Sequence, residues 1–187
     1  FYTGGISTNA FVMTEDVAKN VYYPFFTVSG KALSQYLPKL IELVEEIVFR
    51  SNLEDYDKIK ELLLNTKANL EMHMNYASHT IAVRRLESYY SEGAKYAQAL
   101  EGIDYYDYIS DLVKHYDERK ESFSQQLIAV LRHILNIHGV TATFVGSKED
   151  FEQFKALSQS FFQHLSQEVV TPQPFITPVE VLNEGFK

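Results

Sequence analysis

Six histidines stand among 25 acidic residues in a 187-residue chain without cysteine. Zinc binding and acid-base catalysis are therefore the first chemistries to weigh, and spacing decides between them. His73 and His79 are six positions apart in one helical stretch, which turns the imidazoles to roughly opposite faces and spoils joint ligation. His133 and His138, five apart, diverge as well. The nearest approach to a zinc motif is His115-Tyr116-Asp117-Glu118-Arg119. It has the shape H-x-x-E but ends in arginine where H-x-x-E-H needs a second imidazole, and a guanidinium has no lone pair to give. The segment reads as the polar end of an amphipathic helix.

Other catalytic patterns are missing from the sequence. It contains no G-x-S-x-G elbow, no G-x-x-x-x-G-K-[ST] phosphate loop and no thiol nucleophile. The tyrosine pairs Tyr22-Tyr23, Tyr89-Tyr90 and Tyr105-Tyr106 offer rings with polar tips that suit a peptide surface, yet with 13 tyrosines spread along the chain they read first as core-edge packing. Glu42, Glu45, Glu46, Asp55 and Asp57 read as a solvated face. Arg84-Arg85 could hold a substrate carboxylate, but the expectation is pairing with neighbouring acids.

The elements that must position these groups follow from periodicity. Gly4-Gly5 precedes an alternating run, Ile6, Thr8, Ala10 and Val12, and a second β-rich run extends from Val21 to Val28; together they predict a hairpin. Leu33, Leu37, Leu40, Ile41, Val44, Ile47 and Val48 follow at helical spacing, with Ser34 as the expected N-cap and Pro38 in the first turn. Asp55 should cap a long helix carrying Ile59, Leu62, Leu63, Leu70, Met74, Ala77 and Ile81, kinked near Ser78-His79. A short helix around Ala94 to Leu100 ends at Gly102, and a tyrosine-rich amphipathic segment runs from Tyr105 to Tyr116. An apolar helix through Phe123 to Leu135 stops near His138-Gly139. Val140 to Val145 alternates like a strand, and Ser147 with Asp150 resembles a capping box opening a helix through Phe151, Phe154, Leu157, Phe161 and Leu165.

The predicted class is α+β, an antiparallel sheet with helices packed on one face. Residues 1–167 read as a single domain truncated at its N-terminal side, and 168–187 as an extended connection toward a following domain. A net charge of -8 and a pI near 5.2 argue against nucleic acid and anionic membrane as partners. No stretch approaches the ~20 apolar residues of a membrane span, and the opening lacks the pattern of a signal peptide. Without cysteines the chain suits a reducing compartment, the cytoplasm or an organelle matrix. Phe1 is not a natural start, so the expectation is a piece of a longer protein.

Several fragments in order resemble one family. Thr3-Gly4-Gly5-Ile6-Ser7, Val21-Tyr22-Tyr23-Pro24-Phe25-Phe26, Lys31-Ala32-Leu33 and Leu37-Pro38-Lys39-Leu40 are similar to the pitrilysin/insulinase superfamily of zinc metallopeptidases, in its presequence-protease-like branch. Ile59-Lys60-Glu61-Leu62-Leu63, Ser78-His79 with Ala82 and Arg84, Tyr89-Tyr90-Ser91 and Asn183-Glu184-Gly185-Phe186 extend the likeness over nearly the whole chain. The part resembled is the "associated" domain of the non-catalytic second half.

The resemblance implies a clamshell parent of two halves, each with two α+β domains, around a chamber that admits unfolded peptides. Zinc in such a parent sits on H-x-x-E-H and a distal Glu of the first half, and this chain would be a partial repeat starting after the corresponding helix. Glu61 and Glu71 lie where a distal Glu sits in catalytic repeats, but without the histidine pair they imply no metal. The substrate-gripping Arg and Tyr of the family fall beyond Lys187. No catalytic residue and no metal ligand are therefore assigned here, and substrate-binding residues stay unassigned. The implied partners are other domains of the same polypeptide and the parent's peptide substrate, with self-association of the fragment through uncovered surfaces. Two other readings stand beside this one: a structural or binding subunit of the same fold without peptidase activity, and a catalytic repeat trimmed of its zinc helix, which the Asn183-Glu184-Gly185-Phe186 ending disfavours.

Overall fold

The structure is a computed structural model that describes residues 3–16 and 21–169. Strands β1 (Thr3–Asp16) and β2 (Val21–Ala32) form a two-stranded antiparallel sheet. Seven α-helices follow among the described residues: α1 (Leu37–Arg50), α2 (Tyr56–Tyr76), α3 (Ser78–Glu87), α4 (Glu92–Glu101), α5 (Ile103–Lys114), α6 (Tyr116–Ile134) and α7 (Lys148–Gln163). The layout is α+β, as the periodicity predicts. No helix of the described chain is long and apolar enough to cross a membrane.

Side chains fix the register of the hairpin. The Ser7 and Ser29 hydroxyls meet at 3.0 Å, the Thr27 hydroxyl donates to the Asn9 carbonyl at 3.3 Å, and the Phe11 and Phe25 rings lie 5.5 Å apart. These are cross-strand pairs of one constant antiparallel register. Gly5 has φ +108°, a conformation that costs a residue with a Cβ.

The described chain divides into two compact units, discontinuous in sequence. Unit 1 gathers residues 3–9, 26–54 and 122–169, and unit 2 gathers 10–16, 21–25 and 55–121.

In unit 1, Leu40 of α1 packs so closely on β2 that a Cβ at Gly30 would come within 2.7 Å of its Cδ1. Pro38 does lie in the first turn of α1. Ser34 is not its N-cap. It opens a 3-10 turn, Ser34–Tyr36, so the α-helix begins later, at Leu37 behind Tyr36, and its hydroxyl donates instead to the Asp150 carboxylate at 2.9 Å. The N-terminus of α7 is built as its sequence suggests: Ser147 Oγ accepts from the Asp150 N–H at 3.1 Å and donates to the Asp150 carboxylate at 2.8 Å. Helices α1 and α7 pack through Phe49 and Phe161, 5.0 Å between centroids, and Ser160 donates to Glu45. The fully buried Ser124 of α6 donates to the Leu53 carbonyl at 2.6 Å. Past α6, Asn136 makes an isolated parallel bridge with Ser166, and buried Leu165 anchors the segment after α7.

The expected strand at Val140 to Val145 does not form: these residues join no ladder among the described residues. Alternation sorts side chains to two sides, but a strand also needs a neighbour for its backbone. Here Phe144 is drawn onto α7 instead, stacking on Phe154 at 4.9 Å and tilting against Phe151 at 5.9 Å, and Val145 is left 94% exposed.

In unit 2, Asp55 caps α2 by accepting from the Lys58 N–H at 3.0 Å. The long helix breaks at Ala77 (φ -121°, ψ 36°), whose N–H still bonds the His73 carbonyl at 2.8 Å; the break lies one residue before Ser78-His79. Ser91 caps α4 and Gly102 ends it. Helix α5 packs against α2 and α4, and α3 against α4. The core of this unit is Ile59, Leu63, Ala77, Ile81, Ile109, Leu112 and Tyr116, with the Tyr116 hydroxyl donating to the Tyr56 carbonyl at 2.8 Å. Gly93 lets α4 approach the hairpin, since a Cβ there would lie 2.9 Å from Thr14 Oγ1 and 3.2 Å from Tyr22 Cβ.

Candidate functional site

The His115 segment proves to be a helix junction. His115 closes α5 and Tyr116 opens α6. Asp111, one turn back, receives both basic side chains of the segment: His115 Nδ1 lies 3.1 Å from its Oδ1 and Arg119 Nη1 lies 2.7 Å from its Oδ2. Arg119 foremost, with His115, holds the Asp111 carboxyl below the usual carboxylate range. The residue that spoils the zinc motif is thus the one that ties α6 to α5.

The other singled-out residues are dispersed. Arg84 pairs with Glu101 at 2.8 Å and Arg85 with Asp104 at 3.0 Å, so both bind neighbouring acids as expected. Glu61 meets Lys58 at 2.8 Å, and Glu71 meets Lys67 at 3.7 Å while accepting from the Tyr106 hydroxyl at 3.2 Å. Glu42 is held by Lys39 at 2.8 Å. Within the tyrosine pairs, Tyr22 is half-buried beside exposed Tyr23 and Tyr89 is half-buried beside exposed Tyr90, whereas Tyr105 and Tyr106 are both half-buried. Burial raises the phenol pKa of Tyr22 and of Tyr105. Among the described residues, no three His, Cys, Asp or Glu side chains gather as a metal site.

Unit 1 also contains an open cleft of about 560 Å³, with an apolar wall of Val48, Leu53, Ile128 and Leu131. Glu54, Arg132, His164 and Glu168 stand at its polar margin. The volume lies in the range of small-ligand sites, roughly 300–1,000 Å³. Two of its hydrogen-bonding groups are already committed: the Ser51 hydroxyl donates to the Ile47 carbonyl at 2.6 Å, and His164 Nδ1 lies 2.7 Å from the Ser160 carbonyl. Among the described residues of the cleft, no hydroxyl is aligned on an imidazole as a nucleophile requires. The cleft can bury an apolar side chain and does not assemble a catalytic pair. Sequence reading missed it because its lining comes from the ends of α1 and α6 and the segment after α7, separated by scores of residues.

A family model described as peptidase M-16C associated matches residues 1–112. The chain belongs to this peptidase-associated family. Protein HypA of Clostridium perfringens is 33% identical over 153 residues, covering 82% of this chain and 16% of that protein. The mitochondrial presequence protease of Schizosaccharomyces pombe is 25% identical over 165 residues, 87% of this chain and 16% of that protein. Presequence protease 1, chloroplastic/mitochondrial, of Arabidopsis thaliana is 24% identical over 138 residues, 73% of this chain and 13% of that protein. The chain thus spans about one sixth of the length of the curated relatives it matches. The matched residues 1–112 include the hairpin and all of α1 to α4.

Proposed function

We propose that this chain is a non-catalytic domain of a zinc-dependent metalloendopeptidase that degrades oligopeptides, contributing chamber wall and contacts to other domains of the same polypeptide. The observation that carries the reading is the peptidase-associated family match over residues 1–112, supported by two relatives named presequence proteases that align over most of this chain. The local chemistry agrees with it. Several candidate groups for a metal or a substrate carboxylate are engaged structurally: His115 with Asp111, Glu61 with Lys58, Glu71 with Lys67, Arg84 with Glu101 and Arg85 with Asp104. Zinc belongs to another part of the parent. Residues 1–167 serve as the domain and 168–187 as its connection to the next. The names of the two presequence proteases place those proteins in mitochondria or chloroplasts, and for this chain we propose the cytoplasm or an organelle matrix.

The test uses the purified chain with added zinc and a quenched fluorogenic peptide. The expected result is no chelator-sensitive cleavage; robust turnover abolished by chelator would overturn the assignment.

A further inference from the structure

The hairpin has two outer edges, and they are not alike. Among the described residues the sheet consists of β1 and β2 alone, so the outer side of each strand presents backbone N–H and C=O groups that no neighbouring strand takes up. Thr27 Oγ1 donates to the Asn9 carbonyl at 3.3 Å, which fixes that carbonyl as facing β2. In an antiparallel ladder a residue sends its N–H and C=O to the same side, and successive residues alternate. Asn9, Phe11 and Met13 therefore direct theirs to β2. Those of Ala10, Val12 and Thr14 point away from it.

Pro24 reports the same alternation independently. The pairing of Phe11 with Phe25 sets Val12 opposite Pro24, which has no N–H to donate. Within a strand, proline is accommodated where its nitrogen faces away from the ladder. Pro24 thus stands at an outward position of β2 and removes a donor from that edge, one of the devices by which proteins blunt the exposed side of a sheet. The β1 edge has no such device. From Thr3 to Thr14 it contains neither a proline nor a charged residue, and Ala10 and Thr14 are exposed. By these marks β2 is built as the true edge of a sheet and β1 as an interior strand.

We propose that the β1 edge at Ala10, Val12 and Thr14 receives an extended segment from another part of the same polypeptide, which continues the sheet as its next strand. Length argues for this occupant. The chain spans about one sixth of the relatives it matches, so most of a protein of that size lies outside these residues. A segment on the same polypeptide is also tethered, which raises its effective concentration at the edge. A second copy is the poorer occupant, because a net charge of -8 repels it. The inference rests on the proposed reading of this chain as one domain of a longer protein.

Backbone amide exchange tests it. In the 187-residue chain, Ala10, Val12 and Thr14 should exchange at least about tenfold faster than Phe11 and Met13, whose N–H groups bind β2. In the full-length protein the same three amides should slow by about tenfold or more, read by mass spectrometry with residue-level fragmentation. Ala10→Pro gives β1 the blunt edge that Pro24 gives β2. It should speed Val12 and Thr14 again in the full-length protein while Phe11 and Met13 of the shorter chain stay slow, which shows the hairpin intact. Fast exchange at Ala10, Val12 and Thr14 in both proteins would overturn the proposal. Slow exchange already present in the dilute 187-residue chain would overturn it too, since residues 170–187 or a second copy would then cover the edge. Chelator-sensitive peptide cleavage by the full-length protein is a separate readout: its absence would sink the peptidase reading and leave the exchange pattern standing.

Discussion

Helix α1 in unit 1 and the stretch from Asn65 to Leu86 of α2 and α3 in unit 2 treat solvent in opposite ways. In α1, Leu37, Leu40 and Val48 are buried, and the Lys39–Glu42 pair stands outward with both side chains about half exposed. In α2–α3 the cations Arg84 and Arg85 lie sideways against acids of unit 2, and Met72, Tyr76, Val83, Leu86 and Tyr90 occupy the outer face. A helix that has satisfied its inner face can therefore still be unfinished. An outer face built of apolar residues keeps its hydrophobic free energy in reserve for a contact, whereas an outer face of charges is already solvated.

Truncating a leucine on each side of unit 2 probes this contrast most severely. Leu112 is 0% exposed and Leu86 is 56% exposed. Leu112→Ala should lower unfolding free energy by about 2–5 kcal/mol, while Leu86→Ala should stay within about 0.5 kcal/mol. Urea denaturation of dilute protein reads both. Equal losses would mean that the outer face belongs to the core and that the contrast with α1 fails.

A smaller effect is expected from polar burial in unit 1. Ser124→Ala removes the donor to the Leu53 carbonyl and should cost about 1–2 kcal/mol by stranding that carbonyl. Thermal melting of this variant beside Tyr116→Phe, which removes the hydroxyl bound to the Tyr56 carbonyl in unit 2, shows whether the units depend alike on buried hydrogen bonds.

Charges should rank by where they point. Arg85 is 16% exposed in its pair with Asp104, whereas Lys39 is 47% exposed. Arg85→Met should cost about 1 kcal/mol and Lys39→Met close to nothing, the usual outcome for an exposed pair. A double-mutant cycle on each pair checks the order.

The smallest effect is acidic. Hydrogen bonds from Ser147, then Ser34, hold the Asp150 carboxyl below the usual carboxylate range. A lowered folded-state pKa stabilises above the unfolded value of about 3.9, and that contribution is lost as pH falls through the folded value. Ser147→Ala should move the Asp150 titration back toward the ordinary range, seen in its carboxyl carbon shift, and flatten the acid dependence of stability.

Much of the architecture was legible because its signals are local. Asp55 and Ser147 stand at helix starts and are bound there as caps, and Gly102 ends α4. Each cap is decided by a side chain and a backbone N–H within a few residues. The long apolar run after Asp55 breaks close to its expected kink. What misled is equally physical. Val140 to Val145 has a strand's alternation, yet no ladder reaches it among the described residues and Phe144 anchors on α7. Ser34 has a capping side chain, but the 3-10 turn displaced the helix start and Asp150 took the hydroxyl. The expected tail from 170 onward lies outside the described residues.

For the candidate sites, spacing in the sequence was enough to establish that His115 could not share a zinc ion with Arg119, because ligation requires a lone pair that guanidinium lacks. It likewise carried enough of the family pattern for membership to be recognised. Tertiary packing had to settle that Arg119 closes on Asp111 across a helix junction, that a cleft opens between Val48 and Leu131, and which of the apolar stripes on α2 and α3 is buried. Both stripes have helical periodicity, and periodicity places side chains around an axis without saying which side meets another helix. That choice belongs to α5, which packs against α2, and to α4, which packs against α3, and leaves Met72, Tyr76, Val83, Leu86 and Tyr90 facing outward.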